Sequence, residues 1–197
     1  MISKSANKFA IIMFDVGAIK QEEVAIYNYL FEYFLENVIY FLFFVVCGVF
    51  FKDVLYGLIL YMTMAPLRSF GGGVHAPTKR MCYCISYGIV MVITGIVPLI
   101  AGRVSRIIWL VLFVFSIIVI VSLAPVDCPN KRLSDNQKNS LRKKCYISIV
   151  MLIISNIVLA YFDRYIYCAI ITTGTFVAAV SEVLGVIVYQ NSKCDPE

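Results

Sequence analysis

The sequence has a single histidine, His75, and none of its seven cysteines falls in a Cys-x-x-Cys pair. Apart from the Cys82-x-Cys84 step, no Cys/His spacing of a zinc site is present, and a site made of His75, Cys82 and Cys84 would still need a further ligand. No metal and no cofactor is therefore expected. The cysteines, at 47, 82, 84, 128, 145, 168 and 194, are odd in number and scattered through apolar runs and basic loops. That argues against a disulfide framework and for a reducing cytoplasmic face. The one glycine run, Gly71 to Gly73, is not followed by Gly-Lys-Ser/Thr, so it is not a phosphate-binding loop. There is no internal repeat, linker or low-complexity stretch. Lys4, Lys8 and Lys20 are spread among apolar and acidic residues, unlike the ordered sections of a cleaved signal peptide, so insertion by the chain's own spans is expected.

Apolar residues are what the sequence has in quantity. They make up 61% of the chain, and the mean hydropathy of +0.86 lies far outside the soluble range, which makes this an integral membrane protein with the lipid bilayer as its surroundings. The net charge of +5 does not indicate nucleic acid, because the basic residues fall between apolar runs, as in loops facing the cytoplasm.

The expected fold is all-α, a polytopic membrane helical bundle of about six transmembrane helices plus an N-terminal interfacial helix, forming a single domain over 1–197. Residues 2–19 mix Phe9, Ile12 and Val16 with Lys4, Lys8 and Asp15, which reads as a helix lying on the membrane surface. Residues 21–36, rich in Glu and Tyr, lead into the first span, 37–51. Lys52-Asp53 interrupts the run and 54–67 continues it. Both pieces are shorter than the ~20 residues of a usual crossing. Two readings stand: two short spans with a tight turn, or a partial second span that leaves the next loop recessed in the membrane. Two crossings are preferred. Further spans follow at 81–101, 107–124, 145–162 and 165–189, with a tight turn at Asp163-Arg164 and a basic loop over 125–144. With both termini on the cytoplasmic side, 13 of the 17 basic residues lie inside; Lys52, Arg103, Arg106 and Arg164 remain outside. The positive-inside rule supports that orientation.

The reactive-looking patch is 67–84, between the second and third spans. A histidine near a cysteine is the minimum for thiol nucleophilic catalysis, since the thiolate attacks and imidazole holds its proton. Gly71, Gly72 and Gly73 leave backbone N–H groups free to approach a substrate carbonyl, and Arg68 adds a fixed charged fork. Pro77 suits the first turn of a new helix, which puts His75 on the loop and Cys82 just inside the helix, where the dipole, Lys79 and Arg80 favour an anionic sulfur. Cys84 sits ~200° round that helix from Cys82, so both cannot face His75.

The spacing of Arg68, Gly71-Gly72, His75-Ala76 and Cys82 resembles the signature of the accessory gene regulator B family of bacterial membrane peptidases. The segment Ala124-Pro125-Val126-Asp127, followed by Pro129-Asn130-Lys131, is similar to a second family segment, and length and hydropathy agree along the whole chain. The resemblance selects Cys82 over Cys84. It implies a cysteine endopeptidase in the cell membrane that cleaves a quorum-sensing precursor signalling peptide (AgrD-like). Cys82 would form a thioester and hand it to a residue of the precursor, giving a cyclic thiolactone, with His75 as base and then acid. It also implies a homodimer, a feature that nothing in the residues themselves indicates.

Other residues carry weaker signals. Asp127, expected on the same face, is a candidate to orient His75. Lys131, Arg132, Arg142, Lys143 and Lys144 mainly set topology and are candidates to meet the acidic end of a precursor. Glu182 lies inside the last span, where an ionisable group is costly and often functional, yet a hydrogen-bonded contact between helices explains it equally well. A small peptide exporter is the alternative from another class. Against it stand the missing nucleotide-binding loop and the missing two-fold repeat of spans.

Overall fold

The computed structural model describes residues 2–74, 78–126 and 135–193. Among them there is no strand, and the helices follow in the order α1 (Ile2–Asp15), α2 (Val24–Phe50), α3 (Val54–Gly71), α4 (Lys79–Ile100), α5 (Arg106–Leu123), α6 (Asp135–Tyr161) and α7 (Tyr165–Lys193). Five are long and apolar enough to cross a membrane: Gln21–Phe50, Met81–Ile100, Arg106–Leu123, Asn136–Tyr161 and Tyr165–Val188. This is the all-α polytopic membrane bundle that the hydropathy implied. α3 has 18 residues and carries Pro66 and Arg68, which keeps it below that threshold.

The chain divides into two compact units, Met1–Val46 and Cys47–Glu197. In the first, α1 ends where Gly17 takes a φ of 74°, a left-handed conformation that glycine adopts without strain. Ala18 N–H then donates to Met13 O at 2.9 Å. A single 3-10 turn at Gln21–Glu23 restarts the helix, with the Lys20 N–H donating to the Glu23 carboxylate at 2.9 Å. Phe9 stacks on Phe31 at 5.8 Å, which ties α1 to α2.

In the second unit α7 is the central element, packed against α3, α4, α5 and α6. Half of its span (50%) is buried, against no more than 28% for α4, α5 or α6. Its sequence explains this: Thr172, Gly174, Thr175, Ala178, Ala179 and Gly185 are small enough to let neighbouring backbones approach closely, the usual way helices associate in lipid. A Cβ on Gly174 would lie 3.0 Å from Leu60 and 3.1 Å from Thr63 of α3. Leu67, Ile120, Cys145, Ile149 and Ile171 fill the core between α3, α5, α6 and α7. On the outer faces of α5 and α6, Leu110, Val111, Ile147 and Met151 stay exposed, as befits lipid-facing positions.

The turns set the register. At 52–53, Lys52 adopts a φ of 70°, and Asp53 caps α3 by accepting from Leu55 N–H at 2.9 Å. Its other oxygen accepts from the Tyr167 hydroxyl at 2.7 Å, so α3 begins beside the start of α7. At the other end Gly71 packs on Glu182. α3 and α7 therefore run parallel, side by side, and residues 71–74 pack on the C-terminal half of α7.

The expected basic loop over 125–144 differs in form. α6 begins at Asp135, ten residues before the apolar stretch. Residues 135–144 hold no glycine or proline and several straight-chain residues, so they extend the helix beyond the membrane-spanning part.

Candidate functional site

Cys82 and Arg68 come together because two helix ends meet. Arg68 lies in the last turn of α3. α4 starts at Lys79 under a cap from Thr78, whose hydroxyl accepts from Met81 N–H at 3.3 Å, while Cys82 N–H donates to Thr78 O at 3.1 Å. Cys82 is thus in the first turn of α4. Ser86 follows four residues later on the same helix face. The Arg68 fork bridges the two: Nη2 donates to Cys82 Sγ at 2.9 Å and Nη1 to Ser86 Oγ at 2.8 Å. A guanidinium held in this way stabilises negative charge on sulfur, which is what a thiol nucleophile needs. Cys82 is half-buried, whereas Cys84 is exposed on another face of the helix.

The three glycines have different neighbours. Gly72 and Gly73 take φ values of 82° and 135°, which only glycine tolerates readily. Gly71 fits where any side chain would overlap Glu182 Oε1, and a Cβ on Gly73 would lie 2.5 Å from Ser181 Oγ. Gly185 of α7 is equally close to the loop: its Cβ would come 2.9 Å from the Gly73 carbonyl carbon. Two backbone bonds lock the segment, Val74 N–H to Ser181 O and Val126 N–H to Gly71 O, both 2.9 Å. The glycine run is thus a close-packed crossing between α7 and residues 124–126. Gly72 shares a cavity wall with Cys82, while Gly71 and Gly73 are packed against α7.

That cavity has a volume of about 460 Å³. Arg68, Cys82, Ser86 and Ser181 supply its polar groups, and the remaining wall is mostly apolar, with Met64, Ile85, Val177 and Leu184 among its residues. A thiol and a guanidinium in a largely apolar pocket suit attack on an uncharged carbonyl, because little water competes for the developing charge.

Of the other expected site residues, Arg142, Lys143 and Lys144 are exposed on the first turns of α6. Lys144 Nζ lies 5.8 Å from the ring of Phe70, two residues beyond Arg68, so this basic stretch borders the Cys82 end of the bundle. His75, Asp127, Lys131 and Arg132 lie outside the described residues. Glu182 is 1% exposed, and neither carboxylate oxygen has a hydrogen-bond partner among the described residues. Ser86, Ser181 and Gly185 were not singled out from the sequence. The i+4 spacing of Ser86 from Cys82 was a usable signal; Ser181 and Gly185 offered only their small size within the last span.

These features define a class: a multi-pass all-α membrane protein with a cysteine held by an arginine at the junction of two helices. Residues 5–183 match the family model of Accessory gene regulator B, and the chain belongs to that family. Membership places it in quorum-sensing peptide processing, in a generally peptidase-like family whose substrate is a peptide precursor in a membrane context. Comparison with curated proteins and with solved structures returned no match.

Proposed function

We propose that this protein is a membrane cysteine endopeptidase that releases the C-terminal part of its precursor peptide and passes the remainder on as a cyclic thiolactone. The observation that carries this reading is the Arg68 guanidinium donating to Cys82 Sγ beside an apolar cavity, in a chain of this family. In the mechanism, His75 accepts the Cys82 proton as the sulfur attacks the scissile carbonyl. Arg68 and the N–H groups of the glycine segment stabilise the tetrahedral oxyanion. The C–N bond then breaks, His75 protonates the leaving amine, and the N-terminal fragment stays on Cys82 as a thioester. A cysteine thiol within that fragment attacks the thioester carbonyl, closes the ring and restores Cys82. The second step exchanges one thioester for another and is nearly balanced, whereas the first replaces an amide and needs supply of precursor and removal of product to proceed.

The reading extends to setting. The site faces the cytoplasm with both termini, as the clustering of basic residues at the Cys82 end favours. The basic stretch ending in Arg142, Lys143 and Lys144 meets the acidic end of the precursor, and Asp127 orients His75. The active form is a homodimer. A precursor lying in the interface gains effective concentration at such a site.

The test is mass spectrometry of the full chain in nanodiscs, incubated with its precursor, in wild-type, Cys82→Ala and Cys84→Ala forms. A hydroxylamine-sensitive adduct carrying the N-terminal fragment, absent only from Cys82→Ala, is expected. Precursor left uncut by all three forms would sink the reading and leave peptide export as its replacement.

A further inference from the structure

At the opposite end of α7 from Cys82 lies a second cavity, of about 590 Å³, enclosed by the 101–106 turn and the starts of α5 and α7 together with the end of α6. Residues 177–188 of α7 line the Cys82 cavity and residues 165–172 line this one, so the two are separate sites. The second cavity gathers hydrogen-bond donors. Arg103 and Arg106 stand at its wall, and Trp109 and Asn156 lie along it. Trp109 Nε1 and Asn156 Nδ2 are buried with no hydrogen-bond partner among the described residues. Orphan donors at a membrane protein's core are costly, and an acceptor that meets both removes the cost.

Arg106 is held in place. Its guanidinium lies 3.6 Å from the centroid of the Tyr165 ring, and Nη1 donates to the Tyr165 hydroxyl at 2.6 Å. The neighbouring acid, Asp163, is 4.0 Å from Nη1, with both side chains largely exposed (69% and 80%), so solvent screens that pair. The cavity keeps a surplus of positive charge. Its depth is also informative, because Arg106 and Tyr165 are the first residues of their spans, and Trp and Tyr at such positions sit at headgroup level. Below it Ile107, Leu110, Val111 and Val114 of α5 form an exposed apolar track.

We propose that this cavity binds the phosphate of an anionic phospholipid headgroup, with the acyl chains lying along that track of α5. Arg103 and Arg106 supply the charge, and Trp109 Nε1–H and Asn156 Nδ2 donate to the phosphate or the ester oxygens next to it. Free phosphate presents the same chemistry without the acyl chains. The site is independent of the peptidase reading.

The full-length protein, purified in detergent, is titrated with dioleoylphosphatidylglycerol and with dioleoylphosphatidylcholine and read by native mass spectrometry. Inorganic phosphate is tested in parallel by its effect on thermal unfolding. One tight phosphatidylglycerol is expected, bound about tenfold more weakly by the Arg103→Gln/Arg106→Gln pair, as for loss of charge-assisted hydrogen bonds. Trp109→Phe keeps an aromatic side chain but removes the N–H donor with the five-membered ring, so a several-fold loss in a variant that folds like wild type separates binding from stability. Phosphatidylglycerol binding that millimolar inorganic phosphate does not displace identifies the lipid as the source; displacement together with thermal stabilisation identifies free phosphate. Equal binding of the two lipids would show that the cavity does not select an anionic headgroup, and variants that bind like wild type would place the lipid elsewhere; either result overturns the proposal.

Discussion

Arg68 is the residue on which the Cys82 site turns. It touches two partners four positions apart on α4, and a planar fork with two nitrogens can reach both where a single ammonium cannot. Arg68→Gln is therefore expected to slow alkylation of Cys82 by iodoacetamide at neutral pH about tenfold, because the attacking sulfur loses its charge-assisted partner. Arg68→Lys should recover only part of that rate. Peptide mapping reads Cys82 separately from the exposed Cys84, whose rate should stay constant and serve as the internal control. Equal Cys82 rates in all three proteins would show that the fork orients the side chain without acting on its charge.

At the scale of the element, the α3–α7 seam decides where Cys82 and Arg68 meet. Three contacts along it, Asp53 with Tyr167, Leu60 and Thr63 with Gly174, and Gly71 with Glu182, keep the two helices parallel over most of their length. Gly174→Leu is expected to force them apart and destabilise the protein by about 1–3 kcal/mol, the usual cost of overpacking. A lowered unfolding midpoint in detergent would show it, and an unchanged midpoint would mean that the seam is looser than its geometry. Little of this seam was legible in the sequence. Hydropathy reports depth, so the spans at 81–101, 107–124 and 165–189 and the polar turns at Lys52-Asp53 and Asp163-Arg164 could be read within a few residues, whereas the first, expected over 37–51, belongs to a helix that already starts at Val24. It does not report which helix faces which, and so Ser86, Ser181 and Gly185 escaped notice while the local 67–84 pattern did not. The start of α6 shows the same limit: apolarity marks where the membrane begins, but the helix begins where 135–144 can sustain hydrogen bonds.

For the whole molecule the open quantity is the number of crossings, and α3 decides it. Its 18 residues rise ~27 Å, slightly less than the ~30 Å of a hydrocarbon core. By composition alone a partial span would serve as well. Packing argues otherwise, because α3 starts beside Tyr167 and ends beside Glu182, and a helix that accompanies α7 over that interval traverses the same depth as α7. Six crossings are therefore the expected outcome, and the positive-inside rule then favours cytoplasmic termini, with Lys52, Arg103, Arg106 and Arg164 outside. Green fluorescent protein fused at either end should then fluoresce, and alkaline phosphatase inserted after Arg103 should be active. Fluorescence at one end with phosphatase activity at the other would mean five crossings. The parallel α3–α7 pair would then have to lie in the membrane without α3 spanning it, leaving the Arg68–Cys82 junction recessed in the bilayer.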